Sequence, residues 1–146
     1  MKEMISRLCE IFEEQVETYA SLLEQTLRER ELLCARDSAG VGSALKQKED
    51  LLMRINELDH QRLDCLRFFS RFFDESLDDM TISFLAEAIE EPFSSRLLNA
   101  RETLRQVTGT LKEENIRNGL LAGRMYEHAC GRTELLKNLV NAANGL

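Results

Sequence analysis

Apolar residues recur three and four positions apart along the N-terminal part of the chain. Ile5, Leu8, Phe12, Tyr19, Leu22, Leu23, Leu27 and Leu33 form one stripe. That period predicts an amphipathic helix over about 3–36. Glu13, Glu14, Glu17, Glu24, Arg28 and Glu31 fall on the other face, which reads as solvated. The run Asp37-Ser38-Ala39-Gly40-Val41-Gly42-Ser43 breaks the pattern: its two glycines turn the chain, and Ser38 or Ser43 caps the next helix. A second helix is predicted over about 43–73, with Leu45, Leu52, Ile55, Leu58, Leu66, Phe69 and Phe73 inward and Leu51 and Cys65 beside them. So short a connection makes the pair an antiparallel hairpin. At 1.5 Å of rise per residue, each arm is roughly 45–50 Å long.

The next segment changes character. Asp74, Glu75, Asp78, Asp79, Glu87, Glu90 and Glu91 come without one base, interleaved with Leu77, Met80, Ile82, Phe84, Leu85 and Ile89. A short helix over about 82–89, capped by Asp79 or Thr81, fits this stretch. Its acids read either as a solvated connector or as a docking surface for a basic partner. Pro92 then opens a third long helix, predicted over about 93–142, because proline is tolerated in a first turn. Its stripe is Phe93, Leu97, Ala100, Leu104, Val107, Leu111, Asn118, Leu121, Met125, Leu135, Leu136, Leu139 and Val140. A straight helix of that length spans roughly 75 Å and outruns the hairpin by roughly 25 Å. The surplus is not all polar, and its Met125, Tyr126, Leu135, Leu136, Leu139 and Val140 call for cover from a client, a second copy, or the chain's own folded-back end. Gly109, Gly119, Gly123 and Gly131 each cost about 1 kcal/mol against alanine in a helix interior. They fit either a bend near 119–123 or the close approach of another backbone.

Composition agrees with a single helical domain over 1–146: 43% hydrophobic, 31% charged, one proline and no tryptophan. The net charge of −7 excludes a general nucleic-acid binder and a ligand of acidic membrane surfaces. No apolar run approaches the roughly 20 residues that span a bilayer, and the N-terminus carries acids where a signal peptide would be apolar. These features predict a cytoplasmic protein without membrane insertion. Cys9, Cys34, Cys65 and Cys130 are far apart, form no C-x-x-C pair, and read as reduced apolar side chains.

Motifs of catalysis are missing. Gly40-Val41-Gly42 lacks the lysine and the preceding strand of a phosphate loop, and no Gly-x-Ser-x-Gly occurs. Glu57 and His60 have the E-x-x-H spacing of di-iron bundles, but the second histidine, His128, has Met125 where a glutamate is needed. Glu57 and His60 therefore read as a solvated contact one turn apart. No enzyme, metal or cofactor is expected. Asn115 and Asn118 interrupt the apolar stripe on one face. They suit amide bonds to a partner's backbone or a polar layer that sets register.

The chain resembles the FlgN-type flagellar export chaperones. The resemblance rests on Leu32-Leu33-Cys34-Ala35-Arg36-Asp37 closing the first helix and Leu45-Lys46-Gln47-Lys48-Glu49-Asp50-Leu51-Leu52 in the second. Met80-Thr81-Ile82-Ser83-Phe84-Leu85 in the linking helix and Asn115-Ile116-Arg117-Asn118-Gly119-Leu120-Leu121 in the last extend it over essentially the full chain. One departure is that some members carry a polar tail beyond the last helix. The resemblance implies an all-α bundle: an antiparallel hairpin, a short linking helix and a long, coiled-coil-like C-terminal helix. It also implies a cytoplasmic, non-enzymatic helper that binds hook–filament junction proteins, keeps them from premature assembly and delivers them to the flagellar export apparatus. Helix-in-groove binding is the mechanism expected, with an amphipathic client segment lying on the last helix. The expected client-binding residues are Leu111, Asn115, Asn118, Leu121, Met125, Leu135 and Leu139, bordered by Leu136 and Val140. The competing expectations are a homodimeric coiled-coil adaptor without an export client, and a helical-bundle metalloenzyme.

Overall fold

The three-and-four spacing of apolar residues folds as it predicts. The computed structural model describes residues 1–126. Among them are four helices and no strand: α1 Lys2–Cys34, α2 Ser38–Phe73, α3 Ile82–Ala88 and α4 Phe93–Tyr126. The all-α class and the order long, long, short, long agree with the sequence. The part of the third long helix expected over 127–142 lies outside the described residues.

The first turn is tighter than expected, and α2 begins at Ser38 rather than near residue 43. The glycines do not make the turn. Arg36 does, in the left-handed conformation with φ of 55°. The Asp37 N–H donates to the Leu32 carbonyl and the Arg36 N–H to the Leu33 carbonyl, both at 3.0 Å, the crossed pair that closes a helix C-terminus. Asp37 also caps α2. Its Oδ1 accepts the Gly40 N–H at 2.9 Å, so neither Ser38 nor Ser43 is the cap. Gly40 is needed for space: a Cβ there would lie 2.5 Å from Asp37 Oδ2 and 2.7 Å from Leu32 Cδ2.

At the start of α3 the cap is Thr81, not Asp79; Thr81 Oγ1 accepts the Phe84 N–H at 3.1 Å. The Glu91–Pro92 peptide is cis, and α4 starts one residue later. The Glu91 carboxylate serves the exposed donors of that first turn, accepting the Ser95 hydroxyl at 2.7 Å and its N–H at 3.2 Å.

The described chain forms two compact units, and α1, α2 and α4 each supply a segment to both. The first comprises Met1–Thr18 and Met53–Arg105. Its core joins Ile5, Leu8, Ile11 and Phe12 of α1 to Leu58, Cys65 and Phe69 of α2. Met80, Leu85 and Ile89 from the α3 region and Leu97 and Ala100 of α4 close it. Cys9 and Cys65 are free and buried there, and burial pushes both thiols up, as suits small apolar side chains. The second unit comprises, among the described residues, Tyr19–Leu52 and α4 from Gln106 to Tyr126. Leu33, Val41 and Ala122 pack together in it, flanked by Leu32, Leu45, Leu121 and Met125. Leu27, expected on the inward stripe of α1, is 44% exposed.

Candidate functional site

Among the described residues, the second unit holds most of the buried polar groups. On α1 the buried positions Leu22, Thr26, Glu29 and Leu33 follow one another at four, three and four residues. On α2 Val41, Ala44 and Lys48 do the same. Thr26, Glu29 and Lys48 thus occupy core positions where an amphipathic helix normally puts leucine. Asn115 and Asn118 of α4 meet them.

Lys48 is the hub. Its Nζ lies 2.6 Å from Asn115 Oδ1 and 3.4 Å from Glu29 Oε1. The Asn118 amide donates at 2.7 Å both to Glu29 Oε1 and to the Thr26 carbonyl. Arg30 reaches the layer from its edge: its Nε donates to Asn118 Oδ1 at 3.0 Å, and its other end pairs with the Glu114 carboxylate. The side chains of Lys48 and Glu29 are 2% and 0% exposed. Burial therefore holds the Glu29 carboxyl above its ordinary range and the Lys48 ammonium below its own, against the attraction between them. Glu29 Oε2 and Asn115 Nδ2 have no hydrogen-bond partner among the described residues. This arrangement ties three helix segments into one register, at the cost of desolvating two charges.

On α4 the expected client residues divide. Leu111, Asn115 and Asn118 are buried by their own chain, and both asparagines make their bonds inside it. Leu121 and Met125 are half-buried against the Leu33–Val41 cluster. Leu135 and Leu139, with Leu136 and Val140, lie outside the described residues. The large apolar side chains that α4 leaves open are Leu98 in the first unit, 38% exposed, and Ile116 and Leu120 in the second, 49% and 63% exposed and one turn apart. Neither Ile116 nor Leu120 stood on the expected stripe; an apolar residue at four-residue spacing on the polar side of the helix was the available signal.

The solvated contact expected between Glu57 and His60 does not form. The Glu57 carboxylate pairs with Arg54 at 3.0 Å rather than with His60, which is exposed. In the first unit a shallow cleft of 360 Å³ runs along Glu13, Glu17, Arg96 and Asn99, but Arg96 and Glu13 already pair with each other. His128 lies outside the described residues. Among the described residues no three His, Cys, Asp or Glu side chains converge as a metal set would. No helix among them is long and apolar enough to cross a membrane.

A polar-layered helical bundle with an open apolar pair on its last helix is the frame of a binding protein. The family model described as FlgN protein matches residues 1–145, and the chain belongs to that family, whose members are chaperones of flagellar protein export. The comparisons with curated proteins and with solved structures found no match.

Proposed function

We propose that this chain is a chaperone for hook–filament junction proteins: it holds an amphipathic terminal helix of the client until export and passes it to the export apparatus. The family match over essentially the whole chain carries this reading. The client helix lies along the C-terminal half of α4, where Ile116 and Leu120 offer exposed apolar surface. Leu121 and Met125 form the half-buried edge of the same contact; Leu135 and Leu139, outside the described residues, are assigned to it on their sequence alone. Leu111, Asn115 and Asn118 hold α4 in register and reach a client only when α4 loosens. A client segment that orders on binding gives up conformational entropy, so the complex is specific yet releasable.

The test is a calorimetric titration of the chain with the terminal segment of a junction protein. Ile116→Asp with Leu120→Asp should weaken binding by at least about 2 kcal/mol, since two anchors are lost, while far-ultraviolet circular dichroism stays unchanged. Unaltered affinity would remove the client from this face. The exposed pair equally suits a second copy of the chain, as a homodimeric adaptor requires. Light scattering separates the two: a tight dimer that persists on dilution and ignores the client segment favours the adaptor.

A further inference from the structure

Between Asp74 and Glu91 the chain has seven acidic residues and no Lys or Arg. They account for the whole net charge of −7, because the other 19 acids are matched by 19 Lys and Arg. All seven are exposed, and none is ion-paired with a described residue. The field of the molecule is therefore concentrated in one segment of the first unit.

That segment adjoins exposed aromatic surface. Phe68 stacks on Phe72 with ring centres 6.3 Å apart, Phe72 packs edge-on against Phe73 at 5.1 Å, and Phe73 against Phe84 of α3 at 5.6 Å. Phe68, Phe73 and Phe84 are half-buried, but Phe72 is 56% exposed and Leu77, in the turn that follows, 38%. The bases on the preceding turn are Arg67, which pairs with Asp64, and Arg71, which donates to the Arg67 carbonyl. An exposed phenylalanine followed in the chain by seven acids outside any ion pair among the described residues is an apolar anchor with an anionic rim.

We propose that this end of the first unit docks a basic amphipathic segment of another protein, its apolar side on Phe72 and Leu77 and its Lys and Arg side chains among the acids. Charge decides the occupant. A second copy would set one anionic rim against another, and an anionic lipid surface is repelled in the same way. The rim raises the rate of encounter and selects a cationic partner, while the aromatic surface supplies the desolvated contact. This surface belongs to the first unit, whereas the client face proposed above on α4 belongs to the second.

The full chain is titrated with a fluorescent helical peptide of leucine and lysine, and with its leucine–glutamate counterpart. Two patch variants are compared: Phe72→Ser with Leu77→Ser, and Glu75→Gln, Asp78→Asn, Glu87→Gln, Glu90→Gln. A control neutralises four exposed acids elsewhere, Glu3→Gln, Glu10→Gln, Glu31→Gln, Glu49→Gln, and carries the same net charge as the second. Circular dichroism checks the fold of each. The lysine peptide should bind, more weakly as salt rises, and each patch variant should lose about tenfold in affinity while the control stays within about twofold. The glutamate peptide should not bind. Equal losses in patch and control variants would reduce the effect to bulk charge and overturn the proposal. So would unchanged binding by the Phe72→Ser, Leu77→Ser variant, or a concentration-dependent dimer of the chain that this variant abolishes.

Discussion

At the scale of single residues, Glu29 and Lys48 decide most. A buried ion pair is weak evidence for stability, but removing one partner strands the other charge. Lys48→Met should therefore cost about 3 kcal/mol or more, whereas Glu29→Gln with Lys48→Met should recover at least about 1 kcal/mol of that loss. Urea unfolding of the parent, both singles and the double measures the coupling; purely additive effects would mean the pair is not a unit. The pH dependence has a definite sign. Glu29 binds its proton more tightly folded than unfolded, so stability falls as pH rises from its unfolded value of 4.5 through its raised folded value. Lys48 holds its proton less tightly folded, so stability is regained as pH rises from its lowered folded value toward 10.5. The stability of the double variant relative to the parent should accordingly rise above pH 4.5 and fall again at the alkaline end.

At the scale of elements, the glycines of α2 give opposite expectations for the same substitution. Gly42 has open space where a Cβ would stand, so Gly42→Ala should stabilise the helix by up to about 1 kcal/mol. Gly40→Ala should destabilise, because its Cβ would press on the Asp37 carboxylate that caps the helix and on Leu32. Thermal unfolding of the two variants should bracket the parent; if both rise, the close approach at Gly40 is not real. The same turn shows where sequence pattern stops being informative. Apolar spacing located all four helices, but glycine was read as the turn residue when it was serving a close approach. The left-handed residue that ends α1, Arg36, carries no sequence signal of that role. Glu29 and Lys48 escaped notice for a related reason: a charged residue at a core position removes a point from an apolar count. Continuing α1 from Leu22 by fours and threes leads through Thr26 and Glu29 to Leu33, and it leaves Leu27 one position outside the seam, where it is exposed. Asn115 and Asn118 were legible because they interrupt leucines. Whether they faced a partner or the chain itself depended on Lys48 and Glu29, which lie 67 and 89 residues away from them.

At the scale of the molecule, the two units differ in what they bury, and that difference bears on how a client is held. Among the described residues the first unit's buried polar side chains are Gln15 and Thr18, beneath a broad apolar core. The second unit buries Thr26, Glu29, Lys48, Asn115 and Asn118, two of them charged. Apolar burial contributes about 25 cal/mol per Å², whereas a desolvated charge pair roughly breaks even, so the second unit gains less from its interior. Local opening follows the weaker interior. Native-state hydrogen exchange should therefore show the amides of α4 beyond Gln106 opening at a lower free energy than those of α4 before Arg105. Addition of a junction-protein terminal segment should raise protection in the later stretch first, since binding to one state stabilises it by mass action. If α4 exchanged along its whole length only through global unfolding, the polar layer would not be a point of release. Leu111, Asn115 and Asn118 would then act on the client only by holding the exposed Ile116–Leu120 face in place. If the later stretch opens first, these buried residues become reachable in the opened state. The layer that fixes the register of three helices would then also set how readily the last of them gives way to a client.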